Sequence, residues 1–164
     1  MKRNGFTLIE LIISVAVTAI LFTFGLSAYV KSRDRQEIRA IGETIEKTLR
    51  ETQKDATIGK KDCENILIEY LFTFENNASN DAIELSKQAR CTSSSGQSTT
   101  TIIENAILPD ISTPLVIKFK PLNGGIDIGG TNELDIDFQS TKSEVKHRIS
   151  IEAPGSIQYK GRVE

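Results

Sequence analysis

The sequence has little of what most catalytic sites are built from. In 164 residues it holds one histidine, two cysteines, one methionine and no tryptophan. Sites built on several histidines are excluded by count. Proline is also scarce: there are four, and none lies before Pro109. Nothing of that kind interrupts a helix in the first hundred residues. The last hundred residues lack a basic excess. Residues 62–164 carry nine Lys or Arg against fifteen Asp or Glu, a balance of −6, whereas 31–61 carry nine against six. A nonspecific phosphate-binding surface needs the opposite balance, so no nucleic-acid partner is expected. The chain is long enough for one soluble domain of about a hundred residues beyond its apolar N-terminus, and too short for two.

What the sequence has in excess is apolar surface at its start. Residues 11–30 form an uncharged run of twenty. At 1.5 Å per helical residue that spans about 30 Å, the hydrocarbon thickness of a bilayer. A removable secretory signal has a shorter apolar core followed by a small-residue cleavage site. Here Ala28-Tyr29-Val30 leads straight into a charged segment, so the run is expected to stay in the mature protein. Glu10 does not fit a plain anchor. A carboxylate in an apolar run is costly and is a functional candidate by default. It calls for a cation, and no Lys or Arg lies within the run. A cut between Gly5 and Phe6 would create one, the α-amino group of Phe6. The amine of a neighbouring copy, one step along a helical array, is better placed for Glu10 than its own.

Lys2-Arg3-Asn4-Gly5 followed by Phe6-Thr7-Leu8-Ile9-Glu10 resembles the class III signal of type IV prepilins and type II secretion pseudopilins. The resemblance covers about thirty residues. It implies cleavage after Gly5 by a prepilin peptidase, N-methylation of Phe6, and a subunit-docking role for Glu10. It also implies an inner-membrane assembly platform and other pilin or pseudopilin subunits as partners. The leader would lie in the cytoplasm and the head outside, first as a single-pass membrane protein and then in a periplasmic or extracellular filament. Many members of that family carry a proline near the position of Ser27; here Gly25-Leu26-Ser27 stands instead. The competing reading is an uncleaved single-span anchor with Glu10 among the lipid headgroups.

Beyond the run, Ile38, Ile41, Ile45, Leu49 and Ala56 recur at helical spacing. They predict an amphipathic helix continuing to about Ala56, with Gly59 as its stop. The basic residues Lys31, Arg33 and Arg35 just outside the span read as solvated or headgroup-contacting. From residue 66 the pattern shortens to strands: 66–74, 83–89, 101–108, 115–120, 134–138, 148–153 and 156–160. Asn123-Gly124-Gly125 and Pro154-Gly155 mark turns, and 91–101 reads as an exposed Ser/Thr loop. The expected architecture is therefore α+β, a long N-terminal helix followed by an antiparallel sheet. The expected organisation is leader 1–5, membrane helix 6–30, amphipathic helix 31–58 and β-rich head 59–164. The strand order from Leu115 onward, closing on a Gly-containing hairpin, resembles the H-type minor pseudopilins and related minor pilins.

Cys63 and Cys91 are an even pair in a chain expected to leave the cytoplasm, which predicts a disulfide. Closing a loop of about 29 residues contributes about 3–4 kcal/mol in the loop-entropy account. The remaining candidates carry less. Asp127, Asn132, Glu133, Asp135 and Asp137 are rich in oxygen ligands, as calcium requires, but Asp135 and Asp137 alternate with Leu134, Ile136 and Phe138 as a half-exposed strand would. They are read as a solvated face, with no metal. His147 has no second histidine or nearby cysteine. Ser94 and Ser95 lack a nucleophile setting and a base. Asn77-Ala78-Ser79 fits a glycosylation sequon in a chain of prokaryotic type, so occupancy is not expected. Lys160-Gly161-Arg162 resembles the basic tail of some DNA-contacting minor pilins, but Glu164 follows it. No catalytic residue, nucleotide motif or cofactor is expected. The chain is read as a structural filament subunit of a type IV pilus, secretion pseudopilus or competence filament. The alternative is a binding module, a tip adhesin or DNA-uptake pilin, on the same scaffold.

Overall fold

A computed structural model of the chain describes residues 7–60, 63, 65–79, 81–122, 124–142 and 145–163, with the backbone alone at 24, 25 and 27. The first helix, α1, runs over Leu8–Thr57 without a break, through Gly25-Leu26-Ser27. It passes through two compact units, Met1–Gln36 and Glu37–Glu164. Among the described residues, the first unit holds the helix from Leu8 with Thr7 ahead of it, and the second holds the rest of α1 and nine strands.

The end of α1 follows from Gly59, whose φ of 66° is open to glycine at little cost. There Lys60 N–H donates to Asp55 O at 2.9 Å and Gly59 N–H to Ala56 O at 3.0 Å. This is a Schellman closure, satisfying carbonyls the helix end would otherwise leave open. The predicted stripe is the buried face of this half of the helix: Ile38, Ile41, Ile45, Leu49 and Ala56 are all buried. Thr52 is buried with them and fills the gap between Leu49 and Ala56, its hydroxyl returned to Thr48 O at 2.9 Å. Each large aliphatic side chain buried this way contributes about 1.5–3 kcal/mol.

The strands are β1 (Leu67–Asn76), β2 (Ala82–Cys91), β3 (Thr99–Glu104), β4 (Ala106–Ile107), β5 (Leu115–Phe119), β6 (Ile126–Asp127), β7 (Glu133–Ser140), β8 (Lys146–Glu152) and β9 (Ile157–Arg162). They form a five-stranded sheet, β3-β2-β1-β5-β6, and a four-stranded sheet, β4-β7-β8-β9, antiparallel throughout. Alternation along β1 sends Tyr70, Phe72 and Phe74 inward, opposite Ile117 and Phe119 of β5 and Ala89 and Leu85 of β2. Ile136, Phe138, Ile149 and Ile151 do the same for the second sheet, and all join the helix stripe in one core. The fold is α+β and pilin-like.

Two expectations are corrected. The single strand 101–108 is two strands, because Asn105 takes a φ of 59° and sends the chain from one sheet to the other. Asparagine reaches that region more readily than other non-glycine residues, so it can sit at the corner. The Ser/Thr loop is also shorter than 91–101, since Thr99–Glu104 pairs with β2. The Pro154-Gly155 turn does join β8 to β9, with Gly155 N–H donating to Glu152 O at 2.8 Å. Of the expected turn at 123–125, Asn123 lies outside the described residues; Gly124 N–H donates to Pro121 O at 3.1 Å.

The free edge of β9 is covered by polar side chains of α1 rather than by another strand. Arg50 Nη2 donates to Ile157 O at 2.5 Å, Gln53 Nε2 to Gly155 O at 2.8 Å, and Tyr159 N–H donates to Glu46 Oε2 at 3.3 Å. One turn away, Gly42 is buried against the Tyr159 ring. A Cβ there would lie 2.5 to 2.9 Å from three ring carbons. The ring cannot retreat freely, because its hydroxyl is 2.5 Å from His147 Nδ1 and its face stacks on the imidazole at 5.9 Å. Helix propensity alone would favour Gly42→Ala by about 1 kcal/mol, but overpacking costs about 1–3 kcal/mol. Gly42→Ala is expected to lower urea stability slightly, and Gly42→Leu to lower it by about 2–3 kcal/mol. A stabilised Gly42→Ala chain would show that Tyr159 moves aside freely.

Candidate functional site

The N-terminal end of α1 is organised by two residues. Thr7 N–H donates to Glu10 Oε2 at 3.0 Å, Thr7 Oγ1 donates to the same oxygen at 2.9 Å, and Glu10 N–H donates to Thr7 Oγ1 at 3.3 Å. This is a reciprocal capping box, Thr at the N-cap and Glu three residues on. It satisfies backbone donors that the first turn leaves open. The carboxylate also sits where the helix dipole favours negative charge. The sequence reading assigned Glu10 a role between subunits and missed this one within the chain. The signal was present: Thr7-Leu8-Ile9-Glu10 has the Ser/Thr-x-x-Glu spacing ahead of an apolar run.

Past the cap, hydroxyl side chains are turned back onto the helix. Ser14 Oγ donates to Glu10 O at 2.7 Å, Thr18 Oγ1 to Ser14 O at 2.7 Å and Thr23 Oγ1 to Ala19 O at 2.9 Å. A hydroxyl satisfied by its own helix can face lipid at little cost. Large apolar side chains around it, among them Leu8, Ile9, Leu11, Leu21 and Phe22, are exposed. The helix is long and apolar enough to cross a membrane, and none of its most apolar stretch is buried. Gly5 and Phe6, the expected cleavage and methylation residues, lie outside the described residues.

Residues 1–26 match the family model described as the prokaryotic N-terminal methylation motif. The chain carries the prepilin signal of the type IV pilin and pseudopilin family. No curated protein and no solved structure matches it. The signal, the apolar helix and the α+β head together describe a type IV pilin-like subunit.

The other candidate residues of this pilin-like chain fall into separate structural roles. Cys63 and Cys91 are bridged, with Cα atoms 6.7 Å apart, tying the segment after α1 to the end of β2. Asp135 and Asp137 both hold Arg148: its Nη1 is 3.0 Å from Asp135 Oδ2, and its Nε and Nη2 donate to the two oxygens of Asp137 at 2.7 and 2.9 Å. These hydrogen bonds, against an opposing effect of burial, hold the Asp137 carboxyl below the usual carboxylate range, and they raise the Arg148 guanidinium further. Glu133 accepts from Ser150 Oγ at 2.8 Å, Asp127 accepts from Gly129 N–H at 3.2 Å, and Asn132 O accepts from Ala153 N–H at 2.9 Å. Among the described residues no cluster of His, Cys, Asp and Glu is arranged to hold a metal ion.

His147 faces Phe138 and Tyr159, and burial first, then the charge of Arg162, pushes its pKa down. Burial pushes the Tyr159 phenol up. Both belong to the contact with α1 at Gly42. Ser94 O accepts from Cys91 N–H at 2.9 Å and Ser95 bridges to Arg90, so that loop folds back on β2. The Asn77 side chain closes the β1–β2 turn on Asp81 and Ala82. Gly161, with φ of 82°, sits beside the register shift that leaves Lys160 unmatched between β8 and β9. Its conformational freedom serves that bulge.

Proposed function

We propose that this chain is a structural subunit, a minor pilin or pseudopilin, of a secreted filament built by a type IV pilus, type II secretion or competence system. The observation that carries the reading is Glu10. It opens an exposed apolar helix of membrane-spanning length, immediately after a prepilin signal. In this reading a prepilin peptidase cuts after Gly5 and Phe6 becomes an N-methylated terminus. The segment 6–30 anchors the subunit in the inner membrane with its head outside. An assembly platform then extracts it into the filament, where 6–30 packs among other subunits. Glu10 leaves its position near the interface and pairs with the Phe6 amine of a neighbour. Only one stagger of the two helices brings those charges together, so the pair fixes the axial register as well as offsetting the cost of burial. A place near the H-type minor subunits rests on the sequence resemblance from Leu115 onward alone.

Processing gives the first test. The intact mass of the membrane-extracted protein from cells with active prepilin peptidase is expected to lack residues 1–5 and to carry one methyl group on Phe6. A full-length mass in such cells would leave only the uncleaved anchor.

A further inference from the structure

The two sheets have four edges, and three of them are closed. β4 and β6 are two residues each, too short to template another strand. β9 is occupied by Arg50, Gln53 and Glu46 of α1. The fourth edge, β3, is different. It is six residues long and pairs with β2 on one side, from Ala82↔Glu104 to Lys87↔Thr99. On its other side no described residue hydrogen-bonds the backbone of Thr99–Ile103; cover begins only past its end, where Thr141 N–H donates to Asn105 O at 3.1 Å. The devices that natural proteins use to blunt an edge are missing here: there is no lysine, no proline and no bulge along β3. Its first five residues, Thr-Thr-Thr-Ile-Ile, are β-branched and uncharged, the composition that pairs best, and only Glu104 at its end carries a charge. Ile102 is 60 % exposed on the outer face.

We infer that the β3 edge is a strand-pairing surface for a second copy of this chain. The choice of partner rests on self-complementarity. Antiparallel pairing of β3 with itself about Thr101 sets Thr99 against Ile103 and Thr100 against Ile102. It joins the two five-stranded sheets into one of ten. No like charges meet, because the single charged residue, Glu104, falls opposite the uncharged Ser98. From Thr99 to Ile103, β-branched residues face hydroxyl residues at every position, a favourable cross-strand set. The contact covers one strand edge, well below the ~1,000 Å² of a permanent interface, so the pair is weak and reversible. It is two-fold, whereas subunits of a polar filament all point one way. The pair therefore joins copies that are not neighbours in one filament. It does not depend on the filament reading.

The test uses the full-length chain purified in detergent, where copies orient freely. Thr101→Cys places one new thiol at the two-fold position, and Gln158→Cys places one on β9 as an exposed control. Under mild oxidation Thr101→Cys is expected to give a covalent dimer at least about tenfold faster than the control. Adding Ile102→Lys, an exposed change that leaves the core alone, is expected to suppress that dimer by roughly tenfold. Retention of the Cys63–Cys91 bridge on peptide mapping confirms that each variant is folded. Dimer yields equal to the control, or yields untouched by Ile102→Lys, would overturn the inference. An adduct of Thr101→Cys with another protein in place of the dimer would overturn the choice of partner.

Discussion

Glu10→Gln is expected to spare cleavage after Gly5 and membrane insertion, and to cut recovery in sheared filaments by about tenfold or more. The capping box makes this variant informative. Glutamine at the third helical position keeps the reciprocal bonds with Thr7 and removes only the charge. Thr7→Ala does the reverse. It removes the cap, at a cost of about 0.5–2 kcal/mol of helix stability, and leaves the carboxylate free to pair. If Glu10 acts between subunits, Glu10→Gln fails in assembly while Thr7→Ala assembles. If Glu10 serves only its own helix, the order reverses. Glu10→Leu adds a third arm: it loses both cap and charge but is the best of the three at burial in an apolar core. It should fail with Glu10→Gln, because the register signal is gone. Each variant is measured in cells lacking the wild-type copy. Wild-type recovery of Glu10→Leu would remove the docking role and leave Glu10 as a helix cap on a membrane anchor.

The two roles of Glu10 also show what a single sequence reveals. Its anomaly was legible because one carboxylate in an apolar run stands out against a uniform background. Its local partner was equally legible, since Thr7 lies at the capping distance, but the intersubunit reading drew attention past it. The helix stripe could be read from Ile38, Ile41, Ile45 and Leu49 by period alone. Thr52 belongs to the same stripe, yet a polar residue carries no burial signal until its hydroxyl is seen returned to Thr48. The bend at Asn105 had one weak cue, an asparagine within a β-branched run, and no Gly or Pro to reinforce it. β6 is too short to show a period at all. The cover over β9 was out of reach, because Glu46, Arg50 and Gln53 look like an ordinary solvated helix face until an edge strand is set beside them. The same holds for Arg148, whose claim on Asp135 and Asp137 depends on the β7–β8 register. Patterns within one element were readable, as were the β8–β9 hairpin at its Pro-Gly turn and the cysteine pair; the other pairings between elements were not.

Removing the disulfide should cause the largest loss of stability of any change in the head that leaves its packing in place. In the loop-entropy account, closing the roughly 29-residue loop between Cys63 and Cys91 is worth about 3–4 kcal/mol. That is a large share of the ~5–15 kcal/mol available to a domain. The folded state gives little reason for a further penalty. The β1–β2 ladder from Leu67↔Cys91 to Asn76↔Ile83 does not need the bridge. The segment leaving α1 keeps other ties: Tyr70 OH donates to Lys60 O at 2.7 Å, and Lys87 is paired with Asp55. Cys63→Ala with Cys91→Ala is therefore expected to fold to the same structure and to unfold at lower urea. Alanine is the better replacement, because Cys91 is buried and serine would bring an extra polar group into the core. If the bridge acts on the unfolded chain, its loss also lets that chain expand, so the urea m-value should rise as the midpoint falls. Both are read from unfolding curves of the full-length protein in detergent, wild type with and without reductant beside the double variant. A fall in midpoint with no change in m would place the effect in native packing around Cys91 instead. Stability unchanged to within about 1 kcal/mol would mean that structure remaining in the unfolded chain already restricts the loop as much as the bridge does.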